Sequence, residues 1–209
     1  MYPNKTIENL LSRTCCRQFK NKIVPNKLIN WILRAGQAAP SAKNRQPWFF
    51  LVIKNKTCLN EISQEAFWGR QKQHANLGQK AKEMLIKGQS CTSANDAVLA
   101  GADFAILVFR DSDRNYQEAD PLNFNLKEEQ SVACACINMM NAAFSLGIGM
   151  CWNCSILYFE KELKIVLKKY GFNLPPNLKA RAILPAGYPK GKLTKPQRKN
   201  IKEIIRLIK

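Results

Sequence analysis

Apolar residues recur at helical spacing twice near the start of the chain. Over residues 5–17, Ile7, Leu10 and Leu11 share one face, and over 25–36 Leu28, Ile29, Ile32 and Leu33 do so more cleanly. Pro25 lies near the start of the second segment, and Gly36 and Pro40 close it, so a bounded helix is predicted there. The polar stretch "SAKNRQ" then leads into "PWFFLVIKN", whose aromatic and β-branched residues predict a buried strand. Residues 58–66 and 76–88 predict helical pieces, with Gly69, Gly78 and Gly88 as interruptions. A second buried strand is expected over 103–110, "DFAILVFR", and a loop over 110–123. The run 127–147 predicts a long helix stopped at Gly147. It is apolar nearly all round, which marks it as the central buried helix. Residues 160–171 form an amphipathic pattern ending at Gly171, and "LKARAILPAGYPKG" predicts a third strand and a turn. The tail "RKNIKEIIRLIK" suits a short amphipathic helix or a final strand. Few strands, widely separated by helices, indicate an α+β class rather than a regular β-α-β alternation. No internal repeat or low-complexity linker appears, so one domain over 1–209 is expected.

Composition adds less. The 209 residues are 46% hydrophobic and 23% charged, an ordinary globular balance. The net charge of +18 raises the question of a nucleic-acid or membrane partner. The lysines are scattered, however, without a basic block or an aromatic-interleaved stripe, so neither partner is expected. The first residues lack the apolar core of a signal peptide, and no run is long and apolar enough to cross a membrane. A cytoplasmic protein with reduced thiols is the expectation, despite eight cysteines.

Two stretches carry candidate chemistry. "GIGMCWNCS" holds a C-x-x-C pair, Cys151 and Cys154, behind a glycine turn. A metal site would need about four convergent ligands, and the other cysteines have no matching spacing. His74 is the only histidine, in a polar stretch, which suits a surface position. A catalytic dithiol would sit at a helix N-terminus after a strand, whereas Cys151 follows a helix and a turn. The readings that remain open are a thiol or metal redox site and a loop whose cysteines are small apolar residues. The glycines follow a helix, so "GIG" lacks the context of a dinucleotide fingerprint. The second stretch, "APSAKNRQPWFFLVI", presents Ser41, Asn44, Arg45 and Gln46 from a loop anchored at both ends. That suits either a planar hydrogen-bonding ligand or a capped structural turn.

"PSAKNRQPW" resembles the P-S-x-x-N-x-Q-P-W signature of the FMN-dependent nitroreductase family. "SRTCCRQFKNKIV" is similar to that family's R-x-S-x-R-x-F element, with Arg13, Cys15, Arg17 and Phe19 at the matching places. "EEQSVACACINMMNAAFSLGIGMCW" resembles its central helix and following loop, and "ARAILPAGYPKG" with "RKNIKEII" its last core strand, G-Y-P turn and basic tail. The four segments stand in the family's order and span about residues 7–206.

The resemblance implies a nitroreductase-like α+β fold: a central, mostly antiparallel sheet flanked by helices, in an intertwined homodimer with two FMN sites at the interface. It implies that Arg13, Arg17 and Arg198 hold the FMN phosphate and ribitol, with Thr14 and Cys15 beside them. Pro40, Ser41 and Asn44 would contact flavin from the other subunit, and Ser131 would face the cofactor from the central helix. Asn153 and Cys154 would line the ring, where a backbone N–H donates to flavin N5. The implied activity is ping-pong hydride transfer from NADH or NADPH to a nitro compound, quinone or similar electron-poor acceptor, with no obligatory acid–base side chain. A ferredoxin-linked or otherwise specialised member of the same fold is the alternative. Cys15 stands where a serine is usual, and Asn153–Cys154 replace the usual Ile-Gly, which bears on substrate choice.

Overall fold

The computed structural model describes residues 2–75, 98–112 and 121–208. The chain forms α1 (Lys5–Ser12), α2 (Asn26–Gln37), β1 (Trp48–Ile53), α3 (Lys56–Ala75), β2 (Phe104–Asp111) and α4 (Pro121–Ser145). It continues with β3 (Gly149–Met150), α5 (Glu160–Lys169), β4 (Leu178–Gly187) and α6 (Ile201–Ile204). Four strands make one sheet in the order β1-β2-β4-β3, and every neighbouring pair is antiparallel.

β2 shows why the sheet lies at the centre. Its residues from Phe104 to Arg110 are all buried, so both faces of the strand must be covered. The strand's two-residue period divides the core in two. Ala105, Leu107 and Phe109 pack with Leu59 and Ile62 of α3 and with Leu163 and Leu167 of α5. Phe104, Ile106 and Val108 pack with Ile29 and Ile32 of α2 and with Met139 and Met140 of α4. Helices therefore flank the antiparallel sheet on both faces, as the α+β reading expected.

Five local expectations need correction. α1 ends at Ser12 rather than at 17, because the chain beyond it leaves the helix to pair with β3: the Cys16 N–H donates to the Met150 carbonyl at 3.1 Å. Gly69 does not interrupt α3, which runs on to Ala75. A Cβ there would stand 2.9 Å from Phe159 Cβ and 3.1 Å from the Tyr158 carbonyl oxygen, so the glycine serves a close packing contact. α4 begins at Pro121, inside the expected loop, with proline at a first-turn position where its missing N–H costs nothing. α4 is also not buried all round: Cys134 is exposed, and Leu126 and Ile137 are 55% and 42% exposed. β3, two residues long, was not expected at all. In the tail, Asn200 caps the one-turn α6 by accepting from Lys202 N–H, and the chain leaves it in extended conformation at Ile205. The expected helix over 76–88, with Gly78 and Gly88, lies outside the described residues. His74 falls on α3, and its side chain is outside them too.

Gly149 matters for the site that follows. An added Cβ would stand 2.5 Å from Cys16 Cβ and 2.6 Å from its Sγ. Cys16 cannot retreat easily, since its N–H is held by Met150 and its Sγ lies 3.1 Å from the Gln18 carbonyl oxygen. Gly149→Ala is expected to lower stability by about 1–3 kcal/mol in urea denaturation, the usual cost of overpacking.

Candidate functional site: an arginine–cysteine face beside the loop after α4

After α1 the chain runs extended and is stitched to its neighbours. Lys20 N–H donates to the Tyr188 carbonyl at 2.8 Å, and Lys190 N–H to the Gln18 carbonyl at 2.9 Å. Phe19 bridges Pro189. Extended backbone alternates its side chains, and burial follows suit: Thr14 and Cys16 are buried, while Cys15 is half-buried and Arg17 exposed. Arg13, Cys15 and Arg17 thus share one face. The Thr14 hydroxyl donates to the Thr194 carbonyl at 3.3 Å. Arg13 Nη1 is buried with no hydrogen-bond partner among the described residues, a costly arrangement for a guanidinium unless an anion completes it.

The loop after α4 forms the other wall. Gly147, at φ +73°, ends the helix, and the Ile148 N–H returns to the Ala143 carbonyl at 2.8 Å. The Cys15 sulfur meets the Cys151 side chain and the Trp152 N–H, and the Cys151 thiol lies 3.7 Å from the Trp152 carbonyl oxygen, to which it donates. The Cys151 side chain, then the Trp152 N–H, Arg17 and Arg13, hold the Cys15 thiol down to about 5 against the opposing effect of burial. The same contact and burial push Cys151 far up. Because the folded value of Cys15 is depressed, its stabilising contribution is present at high pH and is lost as pH falls through about 5. The thiolate absorbance at 240 nm should titrate with a midpoint near 5, and Cys15→Ser should remove that step.

Asn153 is tied into the fold. It exchanges backbone hydrogen bonds of 3.0 and 2.8 Å with Ile183, and its Oδ1 accepts from Ser155 N–H at 2.7 Å. Its N–H is therefore spent on the sheet. Cys154 is exposed, and its sulfur accepts from the Trp152 indole N–H at 3.1 Å. Cys151 and Cys154 thus point at different partners. Among the described residues there is no group of three or more His, Cys, Asp or Glu able to hold a metal ion, and no helix long and apolar enough to cross a membrane.

The upstream loop stands elsewhere. Ser41 Oγ accepts from Gln46 N–H at 2.9 Å, and Ser131 Oγ accepts from Ala42 N–H at 3.2 Å while donating to the Lys127 carbonyl at 2.7 Å. Ser131 thus braces the loop on α4. Pro40 and Asn44 are exposed. Lys43, Asn44 and Gln46 all have φ near +53°, a conformation that side chains other than glycine adopt only where the surroundings enforce it. Beneath the loop lies an ionic cluster that the sequence did not reveal. Arg110 stands 3.6 Å from the buried Glu128 and 3.5 Å from Glu129, and Arg181 Nε donates to Glu129 at 2.6 Å. Arg45 is buried close enough to act on Glu128.

Burial raises the Glu128 pKa and outweighs the lowering by Arg110 and Arg45. A raised carboxyl contributes stability below the unfolded value of 4.5 and loses it as pH climbs through the folded value. Glu128→Gln, which cannot ionise, should therefore gain on the wild type as pH rises from 4.5 to about 7 in urea denaturation. Stability curves that run parallel over that range would contradict this reading.

The structure thus brings Arg13, Thr14, Cys15 and Arg17 together with the loop carrying Asn153 and Cys154. It gathers Pro40, Ser41, Asn44 and Ser131 beside the first half of α4, and Ser131 is roughly 21 Å from Ser145 along the helix axis. Arg198 lies in the exposed tail beyond Thr194. One chain does not join the two groups. A groove of about 840 Å³ lies between α2 and the edge strand β1, lined by Lys27, Trp31, Arg34, Gln37, Trp48 and Phe50 among others.

The fold is a helix-flanked antiparallel sheet with Arg13 and Arg17 beside the loop that follows its central helix. The chain belongs to the nitroreductase family, whose model matches residues 10–188. It is 26% identical over 183 residues to a Methanothermobacter thermautotrophicus protein whose name proposes an NADH dehydrogenase/NAD(P)H nitroreductase, covering 88% of this chain and 76% of that one. It is 28% identical over 199 residues to iodotyrosine deiodinase of Hydra vulgaris, covering 93% of this chain and 69% of that one. The fold matches a nitroreductase with bound FMN from Bacteroides fragilis at a TM-score of 0.74 and 24% identity, over 99% of this chain and 100% of that one.

Proposed function

We propose that this chain is an FMN-dependent oxidoreductase that works as a homodimer and passes hydride from NADH or NADPH to a nitro compound, quinone or similar electron-poor acceptor. The observation that carries the reading is Arg13, whose buried Nη1 has no hydrogen-bond partner among the described residues and which shares a face with Arg17. That arrangement fits the flavin phosphate, a dianion that guanidinium forks bind through paired charge-assisted hydrogen bonds. FMN, when bound, supplies the hydride chemistry. The chain's own residues would bind, orient and enclose. Arg13, Arg17 and Arg198 hold the phosphate and ribitol, and Thr14 and Cys15 stand beside them. With the Asn153 N–H taken by Ile183, Cys154 is the position left to face the ring edge. The basic charge favours phosphorylated donors.

The separation along α4 supports a two-chain site. A two-fold partner laid along α4 brings its Pro40, Ser41 and Asn44 end to this chain's Arg13 end. One chain leaves apolar surface open for that purpose: Leu126, Cys134 and Ile137 of α4, Leu10 and Leu11 of α1, and Ile201 to Ile208 of the tail are exposed. The groove beside the edge strand β1 offers further surface for that assembly.

Initial rates test the activity. FMN-loaded protein should oxidise NADH or NADPH and give parallel double-reciprocal lines with a nitrofuran or a quinone. 3-Iodotyrosine belongs in the same panel, because relatives named as deiodinases match nearly the whole chain; turnover of it in place of nitro compounds and quinones would replace the acceptor. Flavin-loaded protein that oxidises neither nucleotide would overturn the donor and point to a protein such as ferredoxin.

A further inference from the structure

The C-x-x-C spacing directs attention to Cys151 and Cys154, but the sulfur that Cys151 touches is that of Cys15. The two side chains lie against each other. The two segments are held together by the Cys16 N–H, which donates to the Met150 carbonyl at 3.1 Å, while Cys151 is fixed to β4 by its own N–H, which donates to the Pro185 carbonyl at 3.1 Å. Cys15 is half-buried and flanked by Arg13 and Arg17, while Cys151 lies behind it, 2% exposed. The other described cysteines are placed otherwise: Cys16, Cys58 and Cys136 are buried, Cys134 is exposed on α4, and Cys154 is turned to the Trp152 indole.

We propose that Cys15 and Cys151 form a peroxide-sensitive redox pair, in which Cys15 is the attacking sulfur and Cys151 the resolving one, closing a disulfide between the arginine face and the loop after α4.

The chemistry balances with hydrogen peroxide as oxidant. Cys15 thiolate attacks one peroxide oxygen, the O–O bond breaks, and hydroxide leaves, so Cys15 becomes a sulfenic acid. Cys151 then loses its proton to that hydroxide, giving water, and its sulfur attacks Cys15 sulfur. The S–O bond breaks, the S–S bond forms, and the departing hydroxide takes up a proton from solvent that replaces the one Cys15 had released. Two thiols and one peroxide yield one disulfide and two waters, and a dithiol reductant reverses the reaction. The depressed Cys15 thiol supplies thiolate at neutral pH. Cys151 keeps its proton while it lies against that thiolate, and becomes able to attack once the Cys15 charge is gone.

One consequence rests on the function proposed above. Oxidation replaces a thiolate between Arg13 and Arg17 by a neutral disulfide, so FMN phosphate held there should bind roughly tenfold more tightly. The same reasoning predicts the pH dependence of that binding to flatten.

Purified protein should be treated with graded hydrogen peroxide near neutral pH, alkylated, digested without reduction and read by mass spectrometry. The expected product is a cross-link of Cys15 to Cys151, two hydrogens lighter and reversed by dithiothreitol. It should form unchanged in Cys154→Ser and be absent in Cys15→Ser. In Cys151→Ser, Cys15 should accumulate a sulfenic acid captured by dimedone. A pair formed instead between Cys15 and Cys16 or between Cys151 and Cys154, or first oxidation at the exposed Cys134, would overturn the proposal. So would protein left fully reduced. The cross-link is read without flavin, so its formation in a protein that ignores FMN would uphold the pair while removing the function proposed above.

Discussion

Replacing Arg13 by alanine is expected to weaken FMN binding by roughly a hundredfold, from the loss of a charge-assisted hydrogen bond with a dianion. The sign of the accompanying stability change separates this role from a structural one. Among the described residues Arg13 Nη1 is buried without a hydrogen-bond partner, so without a bound anion its guanidinium is a cost to the folded chain. Arg13→Ala should leave the apo protein as stable as the wild type, or more so, while flavin affinity collapses. Arg13→Lys keeps the charge but loses the planar fork, and should fall between the two. Fluorescence titration with FMN, beside thermal melts of the apo proteins, reads both quantities. Unchanged affinity in Arg13→Ala would remove the phosphate from this face. A large fall in apo stability would make Arg13 a structural residue.

The second large effect concerns assembly. Ile137 lies on the outer face of α4 and is 42% exposed, while Met139 on the opposite face is buried in the chain's own core. Ile137→Glu should therefore leave the single chain folded. In a two-chain site the change would bury a carboxylate without a partner, which associating apolar surfaces do not tolerate. Light scattering after size exclusion should show the variant as one chain and the wild type as two. Bound flavin should disappear with the dimer, because Pro40, Ser41 and Asn44 would no longer reach the Arg13 face. A one-chain variant that keeps its FMN would contradict the composite site, and a dimer that keeps it would move the interface off α4.

What the sequence made legible follows from how strongly each element repeats. α2 has four apolar residues at helical spacing, and it lies within a residue or so of its expected bounds. β2 is buried on both faces and reads as an unbroken apolar run. β3 has two residues, too few to carry any period. Gly69 reads as a breaker in a polar stretch because the partner that requires it, Phe159, lies far along the chain. α1 stops early because tertiary pairing with Met150 overrides local spacing.

The site divides in the same way. The arginine face was readable only through the family resemblance, since a helix over 5–17 would not place Arg13, Cys15 and Arg17 on one face, whereas the upstream loop was readable as a polar run between anchors. Their separation along α4 was not readable, since it depends on the whole fold. The C-x-x-C spacing misdirected attention, because nearness in sequence is not nearness of sulfurs: the thiol that Cys151 lies against belongs to Cys15. Glu128 and Arg110 gave no signal either. A buried carboxylate on an otherwise ordinary charged helix start is recognisable only once Arg110 and Arg45 are seen beside it.

The most direct test of the central claim is the visible absorbance spectrum of the purified protein supplied with FMN, recorded anaerobically before and after adding NADH or NADPH. The account predicts flavin bands that stay with the protein through desalting, bleach with one of the nucleotides and return on adding a nitroaromatic or quinone. Protein that emerges colourless after incubation with FMN would contradict it.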